Sequence, residues 1–195
     1  MPEEKRSLSG EGAAAGRINR RNWIEAAALA LGCAVMAAPQ APPSPEPLPP
    51  NERRKSPSLT VSTTDGRTVE ASNQPGKVVL VDVMMTTCPS CKMASESIQR
   101  LYREFGDKGF LPVAIAIDPQ AENVLPLYKN LYGLTFPVGI VPRQQVLNFL
   151  SHPADKPLLV PTLVLIDKRG RIGTTQVGWI GETELRSLIT KLLAE

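Results

Sequence analysis

The stretch 77-KVVLVDVMMTTCPSC-91 decides how the chain folds. Its first part is apolar except for Asp82. A run with so little polar alternation reads as a strand covered on both faces. After the two cysteines, Ala94, Ile98, Leu101, Tyr102 and Phe105 recur at helical spacing, and Gly106 is expected to close that helix. Strand and helix therefore meet at Cys88. Unpaired amides and the dipole at a helix N-terminus favour an anion, so the Cys88 thiol should be acidified there. Cys91 follows one turn on, close enough to form a disulfide, and Pro89 suits the first helical position because no hydrogen bond is lost. A zinc knuckle would need a second ligand pair, which the sequence lacks. A purely structural disulfide is the plain alternative; the strand-to-helix junction favours a pair cycling between dithiol and disulfide.

Outward from this stretch the pattern stays regular. Upstream, "LTVSTTDGRTV" places Asp65-Gly66 between alternating segments, the signal for a tight hairpin. Downstream, "FLPVAIAID" (110–118) is a second buried strand. "ENVLPLYKNLYG" predicts a helix if Pro126 falls in its first turn. "PRQQVLNFL" (142–150) predicts a short helix opened by proline, and "PTLVLID" and "RIGTTQV" predict two strands joined by "KRG". Leu185, Leu188, Ile189, Leu192 and Leu193 mark one face of a terminal helix, with Glu182 and Glu184 at its start and Lys191 near its end suiting the dipole. This order implies an α/β fold, a sheet with helices on both faces. The first two long strands should be parallel, and the terminal hairpin antiparallel.

Two further residues bear on the cysteine pair. Asp82 stands six residues before Cys88 within the strand. Burial would raise its pKa and allow proton exchange with Cys91, whereas pairing with Lys77 or Lys92 would make it merely structural. Pro161 sits at the entrance of an apolar strand, a place proline tolerates only at the first residue or a bend. A cis Val160–Pro161 peptide would supply that bend; a trans proline simply opening the strand is the alternative.

With "VLVDVMMTTCPSC", "GLTFPV" and "VPTLVLIDKRGRI" together, the chain from about Leu59 onward resembles the thioredoxin-fold TlpA/ResA-type exported thiol–disulfide oxidoreductases, relatives of the peroxiredoxins. The resemblance implies a thioredoxin-like three-layer sandwich: a mixed central sheet, helices on both faces and an N-terminal β-hairpin extension. It implies Cys88 as attacking thiolate, Cys91 as resolving thiol, Val160–Pro161 as the cis peptide beside them and Asp82 as the buried acid. Residues 119–157 match the family's central insertion. Thr87, Pro89, Val160 and Thr162 would line the client site, with backbone beside Pro161 holding the client by strand-like hydrogen bonds. No cofactor beyond the Cys88–Cys91 couple is implied. The expected partners are exported cysteine-containing client proteins and a membrane electron donor of thiol-reductant type, with the chain itself a monomer. One departure stands out. The family places Trp immediately before the first cysteine, aromatics earlier; here Thr87 and Met84–Met85 hold those positions, reducing the flat docking surface, and the Thr87 hydroxyl would be free to hydrogen-bond the thiolate.

Two rivals use the same residues. A peroxiredoxin-like peroxidase expects Thr or Ser three residues before its cysteine, but Met85 is there. A copper-binding chaperone of this fold would use Cys88, Cys91 and His152, although such chaperones space their cysteines more widely and a loop histidine is usually only solvated. The Pro89-Ser90 pair offers the thiolate no cation, which favours a reducing poise over a strongly oxidising one.

Residues 1–38 read as an export signal or a membrane or lipid anchor: Arg17, Arg20 and Arg21 precede the uncharged run Ala26–Ala38, too short to span a bilayer comfortably. "NRRNWI" resembles a twin-arginine signal, and Cys33 after "ALG" a lipid acceptor. Residues 39–57 form a linker whose first twelve positions hold seven prolines, a stiff extended spacer or a leader without a role. The domain is expected over 58–195, in a periplasmic or other extracytoplasmic setting. The formal net charge of +3 is uneven: residues 1–57 carry eight Lys/Arg against six Asp/Glu, leaving fourteen against thirteen. A nearly neutral body gives no electrostatic case for nucleic acid.

Overall fold

The computed structural model describes residues 45–195; the expected export or anchor segment with Cys33, and linker residues 39–44, lie outside them. Seven strands and four helices follow in the order β1 (Thr60–Thr63), β2 (Thr68–Glu70), β3 (Val78–Met84), α1 (Pro89–Phe105), β4 (Phe110–Ala116), α2 (Ala121–Leu131), β5 (Val138–Ile140), α3 (Arg143–Leu150), β6 (Thr162–Ile166), β7 (Ile172–Val177) and α4 (Glu182–Leu193). One sheet holds all seven strands in the order β2-β1-β5-β4-β3-β6-β7. β3 runs parallel to β4 and β4 to β5, while β6 and β7 are antiparallel, as is the β1–β2 hairpin. This is the mixed thioredoxin-like sheet, with the hairpin joined to its edge through β1 and β5.

Every residue of β3 is buried, as its apolar run demands. Its side chains alternate between two cores. Val78, Leu80 and Met84 face Ala94, Ile98 and Leu101 of α1 and Leu185, Leu188 and Ile189 of α4. Val79, Val81 and Val83 face Val146 and Phe149 of α3 and Leu59 and Val61 of the N-terminal strand region. Asp82 falls between Leu80 and Met84, which turns its carboxyl toward α1.

Several elements differ from expectation for local reasons. α1 does close at Gly106, but this cap is right-handed and runs on into a 3-10 turn, Gly106–Lys108, so that Gly109 at φ 96° is what turns the chain. α2 begins at Ala121, so Pro126 lies beyond its first turn, inside the helix. Pro142 flanks α3 rather than opening it, and its carbonyl accepts the first amides, from Gln145 at 2.8 Å. The hairpin loop is longer than a two-residue turn: Thr63 N donates to Arg67 O across Thr64, Asp65 and Gly66, with Gly66 at φ 77°. β5, unforeseen, arises from "VGI", where Gly139 lets the Ser62 backbone approach so closely that a Cβ would lie 2.1 Å from the Ser62 oxygen.

Residues 45–57 do not behave as free spacer. Leu48 N donates to Gly173 O, Ile172 N to Arg54 O and Ser56 N to Gly170 O, laying this segment along the first half of the β7 edge. Arg53 is buried there, donating to Asp167 at 3.1 Å and to Glu195 at 2.7 Å.

A dithiol at the helix mouth

Cys88 occupies the N-cap of α1 in extended conformation, and Pro89 is the first helical residue. Its backbone is fixed on both sides: its amide donates to Met85 O, and its carbonyl accepts from Lys92 N. Its sulfur accepts from the Cys91 amide at 3.4 Å and lies 3.2 Å from the Ser90 hydroxyl. Burial alone would push this thiol up; the hydrogen bonds from Cys91 and Ser90, side chain and backbone, outweigh it and hold it below the ordinary value. The hydroxyl serving the sulfur therefore belongs to Ser90 and not to Thr87, which is exposed. Thr86, one residue earlier, is tied down by Asp118 at the end of β4, whose carboxylate accepts from Thr86 N at 2.7 Å and Thr86 Oγ1 at 3.0 Å. Neither Ser90 nor Asp118 stood out in the sequence, because a lone hydroxyl and a lone carboxylate outside any periodic pattern carry no signal of their own.

Cys91 is fully buried behind Cys88, and the two sulfurs are unbridged. Burial raises its pKa first of all, the hydrogen bond with Cys88 adds to that, and the charge of Asp82 adds further. The two thiols are thus driven apart, one toward thiolate and one toward thiol. Both oxygens of Asp82 are buried without a hydrogen-bond partner among the described residues, so neither Lys77 nor Lys92 neutralises it. Desolvation lifts its pKa to about 7.

Val160–Pro161 is cis, and the Val160 carbonyl oxygen lies 3.9 Å from the Cys88 sulfur. Pro161 is buried; its carbonyl accepts from Gly178 N at 2.7 Å, and Thr162 Oγ1 donates to Leu159 O at 2.6 Å. Val160 and Trp179 pack against the same core as Cys88. Pro89 is exposed beside the sulfur. Cys88, Cys91, Asp82, Val160 and Pro161 therefore gather at one end of β3 and β6. His152 does not join them: its ring faces the Lys156 carbonyl, and among the described residues no group of three His, Cys, Asp or Glu is arranged to hold a metal ion. The third ligand expected of a copper site is not supplied by His152.

The chain as a whole is similar to known proteins. The thiol-disulfide oxidoreductases ResA of Bacillus thuringiensis (strain Al Hakam) and Bacillus subtilis (strain 168) are 27% and 28% identical, over 71% and 68% of this chain and 77% and 71% of theirs. The fold matches a thiol:disulfide interchange protein of the thioredoxin family from Chlorobium tepidum TLS (TM-score 0.63, 23% identity, 79% of this chain and 99% of that one) and StoA of Bacillus subtilis (TM-score 0.56, 18% identity, 72% and 98%). A buried thiol behind an acidified one is what a thioredoxin fold uses for disulfide exchange. With the Redoxin family model matching residues 51–190, from the segment on the β7 edge into α4, the chain belongs to the Redoxin family.

Proposed function

We propose that the chain is an exported thiol–disulfide oxidoreductase that reduces disulfides in client proteins and is recharged by a membrane thiol reductant. In this reading residues 1–38 deliver it, residues 39–57 link and brace it, and residues 58–195 carry the chemistry as a monomer. The observation that carries the reading is the division of labour between the sulfurs: Cys88 at the helix mouth is acidified and within reach of solvent, while Cys91 is buried and held protonated.

The Cys88 thiolate attacks one sulfur of the client disulfide. The client S–S bond breaks, and the departing thiolate takes a proton from solvent. A mixed disulfide joins Cys88 to the client, whose backbone the Val160 carbonyl, 3.9 Å from the Cys88 sulfur, is positioned to receive. Cys91 then passes its proton to the Asp82 carboxylate, which is ionised in a large fraction of molecules near neutrality. The freed Cys91 sulfur attacks the Cys88 sulfur, releasing the second client thiolate and leaving the Cys88–Cys91 bridge. Two electrons have passed to the client; two electrons and two protons from a donor dithiol restore the pair. The redox couple is the two cysteines themselves, without added cofactor.

Cys91→Ser stops the second step, so this variant should hold client proteins covalently on Cys88 in its native host, and Cys88→Ser should hold none. The reduction potential of the couple tests direction: a reducing role requires a value toward roughly −270 mV rather than the roughly −120 mV of strong oxidants. A strongly oxidising value would overturn that direction.

A further inference from the structure

Tyr128 is a buried titratable group that the exchange steps leave unused. It reaches from α2 into the core shared with β3 and α1, and its hydroxyl lies 2.9 Å from that of Ser95. Ser95 is fully buried and stands four residues after Cys91 on α1, so the two project from one face of that helix. Asp82 points toward the same helix from β3. Among the described residues, β4, β6 and α4 bring apolar side chains to this core, Ala114, Leu163 and Leu188 among them. The other titratable groups acting on the cluster are Cys88, beside Cys91, and Tyr132, whose ring lies 4.6 Å from that of Tyr128. Lys92 and Lys129 follow Cys91 and Tyr128 in sequence, but neither is bonded to the cluster among the described residues.

Proton accounting sets the Ser95–Tyr128 pair apart. Two hydroxyls carry two protons and the one hydrogen bond between them uses one, so an O–H is left over. Asp82, in turn, holds two buried oxygens without a donor. Burial pushes the Tyr128 phenol up; the bond with Ser95 opposes this, and the charges of Asp82, Tyr132 and Cys91 push it higher still. The phenol therefore keeps its proton at neutral pH. As the more acidic hydroxyl it donates to Ser95, which leaves the Ser95 O–H to turn toward Cys91 and Asp82. Fastening α2 to α1 does not call for these hydroxyls. One turn further along α1, the Gln99 amide already donates to Thr135 Oγ1 at 3.0 Å and accepts from Thr135 N at 2.8 Å. Alanine and phenylalanine would fill the two places without the cost of burying polar oxygen.

We infer that Ser95, backed by Tyr128, is a positioning residue of the resolving step: its O–H turns to the negative charge that Cys91 and Asp82 share as the proton passes between them. Neither hydroxyl gains or loses a proton. The pair contributes dipoles, fixed in a compartment without other donors, and keeps part of the Asp82 population ionised at neutral pH. The inference rests on the oxidoreductase reading and deepens its second step.

The test follows the full-length reduced protein reacting with a symmetrical nitrothiobenzoate disulfide in stopped flow. Attack by Cys88 releases one coloured thiolate in a phase that scales with reagent concentration. Attack by Cys91 releases the second in a phase that does not. The released thiolate stays ionised across the range, so the pH limb of the second phase belongs to the protein. Ser95→Ala should move the midpoint of that limb up by about one pH unit, as loss of one hydrogen bond to a charged group requires. Below the midpoint the second phase should be about tenfold slower, with the first phase unchanged. Tyr128→Phe keeps the ring and loses only its oxygen; it should move the midpoint in the same direction by less, and it decides the matter if Ser95→Ala does not fold. A second phase slowed equally at every pH, or a midpoint that stays in place, would reduce the pair to a fastening between helices and overturn the inference while leaving disulfide exchange intact. A wild type without any second phase would overturn the oxidoreductase reading as well.

Discussion

At the scale of residues, the site is organised by one uncompensated carboxyl. Asp82 has no hydrogen-bond partner among the described residues and a pKa raised from 3.8 to about 7. Between those values the folded chain holds a proton that the unfolded chain has released, so stability falls as pH rises through that window and levels off above it. The window spans about three pH units, a loss on the order of 4 kcal/mol. Asp82→Asn should remove this slope: urea unfolding of the reduced proteins from pH 4 to pH 8 should show the variant gaining on the wild type by about that amount across the window. The same variant should slow release of the client from the mixed disulfide, because Cys91 then has no base. The acid itself was legible in the sequence because a charged residue inside an apolar strand is conspicuous. Its lack of a partner was not, since Lys77 and Lys92 are near in sequence and only the folded chain places them away from it.

At the scale of elements, length governed what the sequence could reveal. β3 and β4 are seven-residue apolar runs, and α1 spans 17 residues with a repeating buried face, so their patterns fix both type and place. β5 has three residues and no room for a period, yet it joins the hairpin to the sheet. Gly139 makes that joint. A side chain there would drive a Cβ into the Ser62 carbonyl, and backbone cannot yield as a flexible side chain does. Gly139→Ala should destabilise the protein by about 3 kcal/mol. Hydrogen exchange should show β1 and β2 losing protection first, with β3 and β4 least affected. Protection lost evenly across the sheet would contradict a local role. Pro126 makes the converse point: propensity argued for a helix start near it, but burial of Leu125 and Tyr128 carries α2 through the proline.

At the scale of the whole molecule, the segment read as spacer braces the domain. Arg53 and Asp167 have side chains only 1% and 3% exposed, and Glu195 shares the arginine. The prolines of this segment argued for an extended spacer and gave no sign of docking, since the partners lie far along the chain and leave no local trace. Arg53→Met strands buried carboxylate charge and should destabilise the fold by about 3 to 5 kcal/mol, measured as a shift in the denaturation midpoint. The acid limb tests the same network. Burial pushes Asp167 up, but hydrogen bonds from Arg171, Arg53 and the Arg169 amide pull it below its ordinary value; the bond from Arg53 chiefly lowers Glu195. Stability from these depressed carboxylates is present above their unfolded values of 3.8 and 4.5 and is lost as pH falls through the folded ones. The Arg53→Met variant should therefore show a shallower acid limb than the wild type.

That brace also orders events in time. Arg53 and Glu195 stand 142 residues apart, and Leu48 waits for Gly173. Ribosomes deliver Leu48 and Arg53 long before Gly173 and Glu195, so the brace cannot be completed until Glu195 emerges. A chain delivered in that order frees its reactive dithiol to solvent before the closing clasp exists.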